Sequence, residues 1–162
     1  MSSMDELEQA ISKSTGEQFV TFRLEKEEYG IEILKVHEII GYQGFAKVPN
    51  VPRFIRGVLN LRGSVVPVID MRLKFNMAEK AYDNFTVIVI IEVQERIIGV
   101  IVDAVSDVVT LNAEELQETP DFSSGVRTDF IKGMGRKGEK LIIMLDIDRI
   151  LSEQEFDYCC AA

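Results

Sequence analysis

The chain has 162 residues, 18 Lys+Arg against 27 Asp+Glu, a formal charge of −9 and an apolar fraction of 46%. That length holds one ordinary domain or two very small ones with a real core, and the apolar fraction excludes a disordered chain. The acidic balance argues against nonspecific nucleic-acid binding, which depends on Lys and Arg neutralising phosphates. No apolar run approaches the roughly 20 residues of a membrane-spanning helix, and Asp5, Glu6 and Glu8 do not fit the basic start of a secretory signal peptide.

In chain order, residues 1–16 read as a helix or flexible arm, with Ser3 as cap, Asp5 and Glu6 in the first turn and Leu7 and Ile11 on one face. Val20, Phe22 and Leu24 alternate with Thr21 and Arg23, the period of a half-buried strand. Ile31 and Ile33 repeat that pattern around Glu32, and the charged stretch Glu25–Glu28 between the two runs predicts a hairpin turn. Val65–Ile69 is a further strand; Pro67 lacks a backbone donor, which predicts an edge position or a bulge. Asp70–Phe75 reads as a short helical turn and Met77–Asp83 as a connector. Thr86–Val93 and Ile97–Val102 are nearly continuous apolar strands, the pattern of burial on both faces, so this hairpin is expected to lie against the other of the two modules that the repeat defines. Leu141–Met144 is a last strand, and Ile147, Ile150 and Leu151 have helical spacing. Residues 152–162 form a tail that carries Cys159 and Cys160. Adjacent cysteines cannot staple a fold, so the chain reads as a cytosolic protein without disulfides.

Internal repetition organises these elements. Residues 19–40 recur at an offset of 69: Val20, Phe22, Leu24, Gly30, Ile31, Val36 and Glu38 meet Val89, Ile91, Val93, Gly99, Val100, Val105 and Asp107. Residues 54–71 recur at an offset of 76: Phe54, Ile55, Gly57, Val65, Ile69 and Asp70 meet Phe130, Ile131, Gly133, Leu141, Leu145 and Asp146. Each copy offers about five short strands, which in so short a chain curl into a small barrel. The fold class is therefore all-β: two packed five-stranded barrels, intertwined, about residues 17–76 and 84–151, with short terminal helices.

Charge is uneven. Residues 1–80 hold 11 basic and 11 acidic side chains, residues 81–162 hold 7 and 16, so the second half carries the whole excess. Lys47, Arg53, Arg56, Arg62 and Arg72 face only Asp70 in their stretch, which makes it either a contact surface for an acidic partner or a solvated loop face.

Catalytic chemistry finds little support. One histidine, His37, and two terminal cysteines do not make a metal site by spacing. A small acidic hydrolase using His37 with a carboxylate as general base is the alternative, against a half-exposed strand histidine. The glycines are spaced as turn glycines, not as a phosphate loop. The repeat sorts the remainder. Gly30/Gly99, Gly57/Gly133 and Asp70/Asp146, present in both copies, read as bulge, turn and cap positions. Asn60 meets Arg136 and Arg62 meets Gly138, so these two are better functional candidates. Arg62 either makes bidentate contacts to a partner carboxylate or sits in a surface ion pair. Phe122, in the insertion of the second copy, either anchors a partner or folds back on its barrel.

The run from Phe54 to Arg72, FIRGVLNLRGSVVPVIDMR, with Val48-Pro49 and Val51-Pro52 before it, resembles the signature of the CheW family of bacterial chemotaxis coupling proteins. Phe19–Leu24, Tyr29-Gly30-Ile31, Val36–Ile39, Gly99–Asp103 and Phe130–Gly133 fit as well, so the resemblance covers about residues 17–151. It implies two five-stranded SH3-like barrels and a non-enzymatic adaptor, without cofactor, that joins methyl-accepting chemoreceptors to the regulatory domain of the histidine kinase CheA. It carries receptor or kinase contact onto Val36, Glu38, Gly57 and Arg62, with Ile39 and Asn60 beside them, and a second kinase contact onto Phe122. Glu38 and Arg62 could also pair with each other. An apolar groove about Val36, Ile39 and Leu61 would take a receptor helix by its hydrophobic face. Relatives with a receiver domain, or the kinase itself, need more chain than is present. No nucleic acid and no membrane insertion are expected.

Overall fold

The computed structural model describes residues 17–117 and 130–151. The expected terminal helix at Ser3, Phe122, and the Cys159–Cys160 tail lie outside the described residues. Eleven strands fill the described chain: β1 (Glu17–Leu24), β2 (Glu27–Glu32), β3 (Val36–Gly41), β4 (Ile55–Leu61), β5 (Ser64–Asp70), β6 (Val87–Val93), β7 (Arg96–Val102), β8 (Ala104–Leu111), β9 (Leu116–Gln117), β10 (Ile131–Lys137) and β11 (Lys140–Leu145). One helical turn, α1 (Met71–Lys74), follows β5, and 3₁₀ turns occupy Ile33–Lys35 and Ile147–Arg149. The helix expected from Ile147 to Leu151 is thus a single 3₁₀ turn in the described residues.

The strands form a six-stranded sheet ordered β8-β1-β2-β11-β10-β9 and a five-stranded sheet ordered β3-β6-β7-β5-β4. The repeat is obeyed with an exchange. The first hairpin of each copy, β1–β2 or β6–β7, leaves its own copy and completes the sheet of the other. The physical reason lies in β6 and β7, which are apolar on both faces and need cover on both. Val89, Ile91, Val93, Ile98, Val100 and Val102 point into a central cluster shared with Phe22, Leu24, Tyr29 and Ile31 of the six-stranded sheet. Ile88, Ile90 and Ile101 fill the interior of the five-stranded sheet with Leu59, Val66 and Val68. The sixth strand, β9, pairs Leu116 and Gln117 with Gly135 and Met134. The first copy matches it with a single bridge, Ala46 to Val58.

Two expectations sharpen. Pro67 is not in an edge strand. It lies in the part of β5 paired only with β4, and the parallel pairing with β7 begins one residue later at Val68, so no ladder bond needs its missing N–H. Ile33 does not continue a strand, because the chain turns through Ile33–Lys35 to cross from one sheet to the other. The shared aspartates are caps, as expected: Asp70 accepts from the backbone of Arg72 and Leu73, and Asp146 from Asp148.

Asp70 is buried, and its second carboxylate oxygen accepts from the Tyr82 hydroxyl at 2.8 Å. Burial first, and then this bond, push the Tyr82 hydroxyl well above its ordinary pKa. Tyr82→Phe is expected to cost about 1–3 kcal/mol, because it strips a buried carboxylate oxygen of its donor. Urea denaturation measures it; an unchanged midpoint would show that water replaces the hydroxyl.

Candidate functional site

The site is built on β3 and on the hairpin β4–β5. Ile91 pairs with Val36 and Ile90 with Glu38, so β3 carries a bulge at His37. Directly paired residues share a face. Val36 and Ile39, opposite Ile91 and Val89, therefore lie on the central-core face, while Glu38 and Ile40, opposite Ile90 and Ile88, lie on the other. Without the bulge Val36 and Glu38 would share a face. The groove expected from Val36, Ile39 and Leu61 is divided accordingly. Val36 packs against the central cluster, Leu61 and Ile40 against the interior of the five-stranded sheet, and Ile39 is exposed.

Arg62 and Gly63 form the two-residue loop of β4–β5, both at positive φ, +50° and +88°, as a type I′ hairpin requires. The Asn60 side chain accepts from the Gly63 N–H at 3.1 Å and braces the loop. From this loop the Arg62 guanidinium reaches Glu38 with both terminal nitrogens, Nη1 to Oε1 at 3.1 Å and Nη2 to Oε2. The pair stays open to solvent on the arginine side, 73% exposed against 27% for Glu38. Beside it, Val65 is exposed directly opposite Asn60.

Comparison of the two copies isolates what is special here. The position of Arg62 is Gly138 in the second sheet, at φ +63°. Glycine adopts that conformation without steric penalty and arginine does not. The first copy thus retains an arginine where the fold favours glycine. Asp107, the counterpart of Glu38, turns its carboxylate to the N–H of Val108 instead. The ion pair belongs to one copy only.

Gly57 has a different role. It is buried, and a Cβ there would stand 2.0 Å from the Ala46 carbonyl oxygen and 2.9 Å from the Phe45 ring. It permits the Ala46–Val58 bridge, so it shapes the segment beside the site without presenting a side chain. Gly133 serves the equivalent approach to Gln117.

The arginines of the basic stretch are locally paired. Arg53 and Arg56 reach Glu79 at 3.5 and 3.3 Å, Arg62 reaches Glu38, and Arg72 holds Asp103. It is not an open basic face. His37 stands half-exposed on the bulge, 3.7 Å from Glu92. Among the described residues it has no hydroxyl or thiol partner, and the hydrolase reading gains no support. No cluster of three metal-ligating side chains occurs among the described residues, and no described helix is long and apolar enough to cross a membrane.

Sequence reasoning missed two constellations. Tyr42, Phe45 and Tyr82 form an aromatic cluster, with the Arg56 guanidinium 5.8 Å from the Tyr82 ring centre. Arg72 makes Nε–Oδ1 and Nη2–Oδ2 bonds to Asp103 at 2.7 and 2.6 Å. The comparison that singled out Arg62 could have found the second, since Arg72 meets Asp148 and Asp103 meets Leu34.

The geometry is that of two intertwined β-sheets carrying an exposed ion pair on a strained loop, with exposed apolar side chains beside it. The CheW-like domain profile matches residues 18–155. The chain is 43% identical over 143 residues to the chemotaxis protein CheW of Klebsiella aerogenes, covering 88% of this chain and 86% of that one. It is 34% identical to chemotaxis protein CheW of Bacillus subtilis, over 86% of this chain and 90% of that one. The crystal structure of the scaffolding protein TtCheW from Thermoanaerobacter tengcongensis superposes with a TM-score of 0.80 at 30% identity, covering 86% of this chain and 94% of that one. The chain belongs to the CheW family.

Proposed function

We infer that this chain is a non-enzymatic chemotaxis adaptor that couples chemoreceptor signalling tips to the histidine kinase CheA, acting at receptor arrays through its partners. The surface around Glu38, Asn60 and Arg62 makes receptor or kinase contact, and Ile39, exposed on the other face of β3, extends it around the strand. Val36 and Gly57 support it from beneath, Val36 by packing and Gly57 by close backbone approach. The kinase is held through its regulatory domain, and Phe122 supplies a second contact to it. The observation that supports this most is Arg62 itself, a charged side chain kept at a left-handed loop position where the second copy has glycine. Local strain of that kind is retained where a side chain has work at the surface.

Coupling requires only that receptor state alter the relative stability of kinase arrangements, a free energy between two sites on one scaffold. The Glu38–Arg62 pair is suited to set register, because a guanidinium already aligned on one carboxylate can share its outer edge with another. Arg62→Gly separates the site from the fold. The melting temperature is expected to stay unchanged or rise, since glycine suits the loop, while affinity for a receptor signalling fragment or for the kinase falls about tenfold. Titration calorimetry with each partner makes the measurement. Unchanged affinity for both would remove Arg62 from the contact surface.

A further inference from the structure

Among the described residues the chain crosses between its two sheets twice, and the two crossings are related by the repeat: the turn Ile33–Lys35 between β2 and β3, and Asp103 between β7 and β8. A polar clamp stands at each, and one pair of corresponding positions, Arg72 and Asp148, takes part in both with reversed charge. At the first crossover, Lys35 reaches both oxygens of Asp148 at 3.3 and 3.1 Å. The Gln94 amide, from the β6–β7 turn, donates to the Asp148 carbonyl at 3.1 Å. At the second, Asp103 takes two bonds from Arg72 and one from the Glu25 N–H, at 2.9 Å, in the β1–β2 turn. Arg72 also donates to the Ala78 carbonyl at 3.0 Å and reaches Glu25 at 3.4 Å. The offsets of the repeat carry Arg72 onto Asp148 and Glu25 onto Gln94.

The clamps are unequal. Arg72 and Asp103 are 11% and 9% exposed, whereas Lys35 and Asp148 are 34% and 44% exposed. A planar guanidinium with its bonds made in fixed geometry holds orientation better than one ammonium on a flexible stem. Solvent and salt weaken the exposed pair far more than the buried one.

We propose that the two crossovers are a fixed pivot and an opening end: the Arg72–Asp103–Glu25 clamp sets the angle between the sheets, and the Lys35–Asp148 clamp is where they part. The turn at the opening end runs directly into β3, so parting moves Val36 and Glu38 relative to the six-stranded sheet. Leu34, 90% exposed at this turn, adds no packing to keep it shut. The mechanical statement is independent of the contact surface proposed above. Its consequence for signalling rests on that reading.

Amide hydrogen exchange on the full chain tests the device, without any partner present. Lys35→Gln is expected to speed exchange about two- to fivefold in peptides covering residues 33–38 and 146–151, with the core strands unchanged. Salt should do the same to the unmodified chain. Arg72→Lys keeps the charge but loses the fork, and is expected to speed exchange throughout the core strands of both sheets. Local effects of equal size from both variants, or no local effect from Lys35→Gln, would overturn the proposal. Receptor binding by Lys35→Gln then reports separately on the contact reading.

Discussion

Arg72→Ala is expected to destabilise the chain by about 3 kcal/mol or more, the scale for removing one partner of a buried charge pair. Asp103 would be left nearly buried with a single backbone donor, the Glu25 N–H. The loss should depend on pH. Burial alone would raise the Asp103 carboxyl. The Arg72 hydrogen bonds, the Glu25 N–H and the charges of Arg72 and Lys80 outweigh burial and hold it below its usual value. A carboxyl lowered on folding adds stability that is fully present above its unfolded value near 3.8 and fades as pH falls through the lower folded value. The unmodified chain should therefore lose this contribution in acid, and Arg72→Ala should show a flatter acid limb. Chemical denaturation at a series of pH values measures both. Parallel pH curves for the two proteins would show that Asp103 gains nothing from Arg72.

Gly57→Ala should have an effect of comparable size for a different reason. Its methyl group would stand 2.0 Å from a backbone oxygen, and the neighbour cannot give way without breaking the Ala46–Val58 bridge. A loss of about 3 kcal/mol, or local release of residues 42–52 with the core kept, follows from backbone strain of this kind. Hydrogen exchange distinguishes the two. In either case partner binding is expected to weaken, because Gly57 lies buried beneath the proposed contact surface. Full stability and normal protection at Ala46 would contradict the packing described.

Much of the architecture was legible in the sequence, because strand periodicity and the repeat speak about local pattern. Val20, Phe22 and Leu24 against Val89, Ile91 and Val93 gave two copies of one strand. The uninterrupted apolar run at Thr86–Val93 already asked for cover on both faces. What no local pattern reveals is which sheet a hairpin joins, since β1–β2 would satisfy its own ladder bonds in either. The exchange is decided by long-range packing. The site was half legible. Arg62 stands out through its glycine counterpart, and a pairing with Glu38 is one of the readings its residue type allows. The bulge at His37 was not legible, and by shifting register it divided Val36 and Ile39 from Glu38. Arg72 looked like one more arginine in a basic stretch, because its partner Asp103 lies 31 residues on.

The shared fold assigns each copy a different task. The second sheet keeps glycine in its hairpin loop, and its Asp107 carboxylate serves its own backbone. The first accepts a left-handed arginine and directs Glu38 toward it. The repeat supplies the frame, and the departures from its symmetry mark the proposed contact surface.

The most direct test of the adaptor reading is kinase activity in a three-component mixture of this chain, a receptor signalling fragment and CheA. The account predicts that the chain recovers both partners in one complex and raises phosphorylation by the kinase, and that Arg62→Gly, equally stable, does so poorly. A chain that is folded and binds each partner alone, yet leaves kinase activity at the level without it, would contradict the claim that this scaffold couples the two.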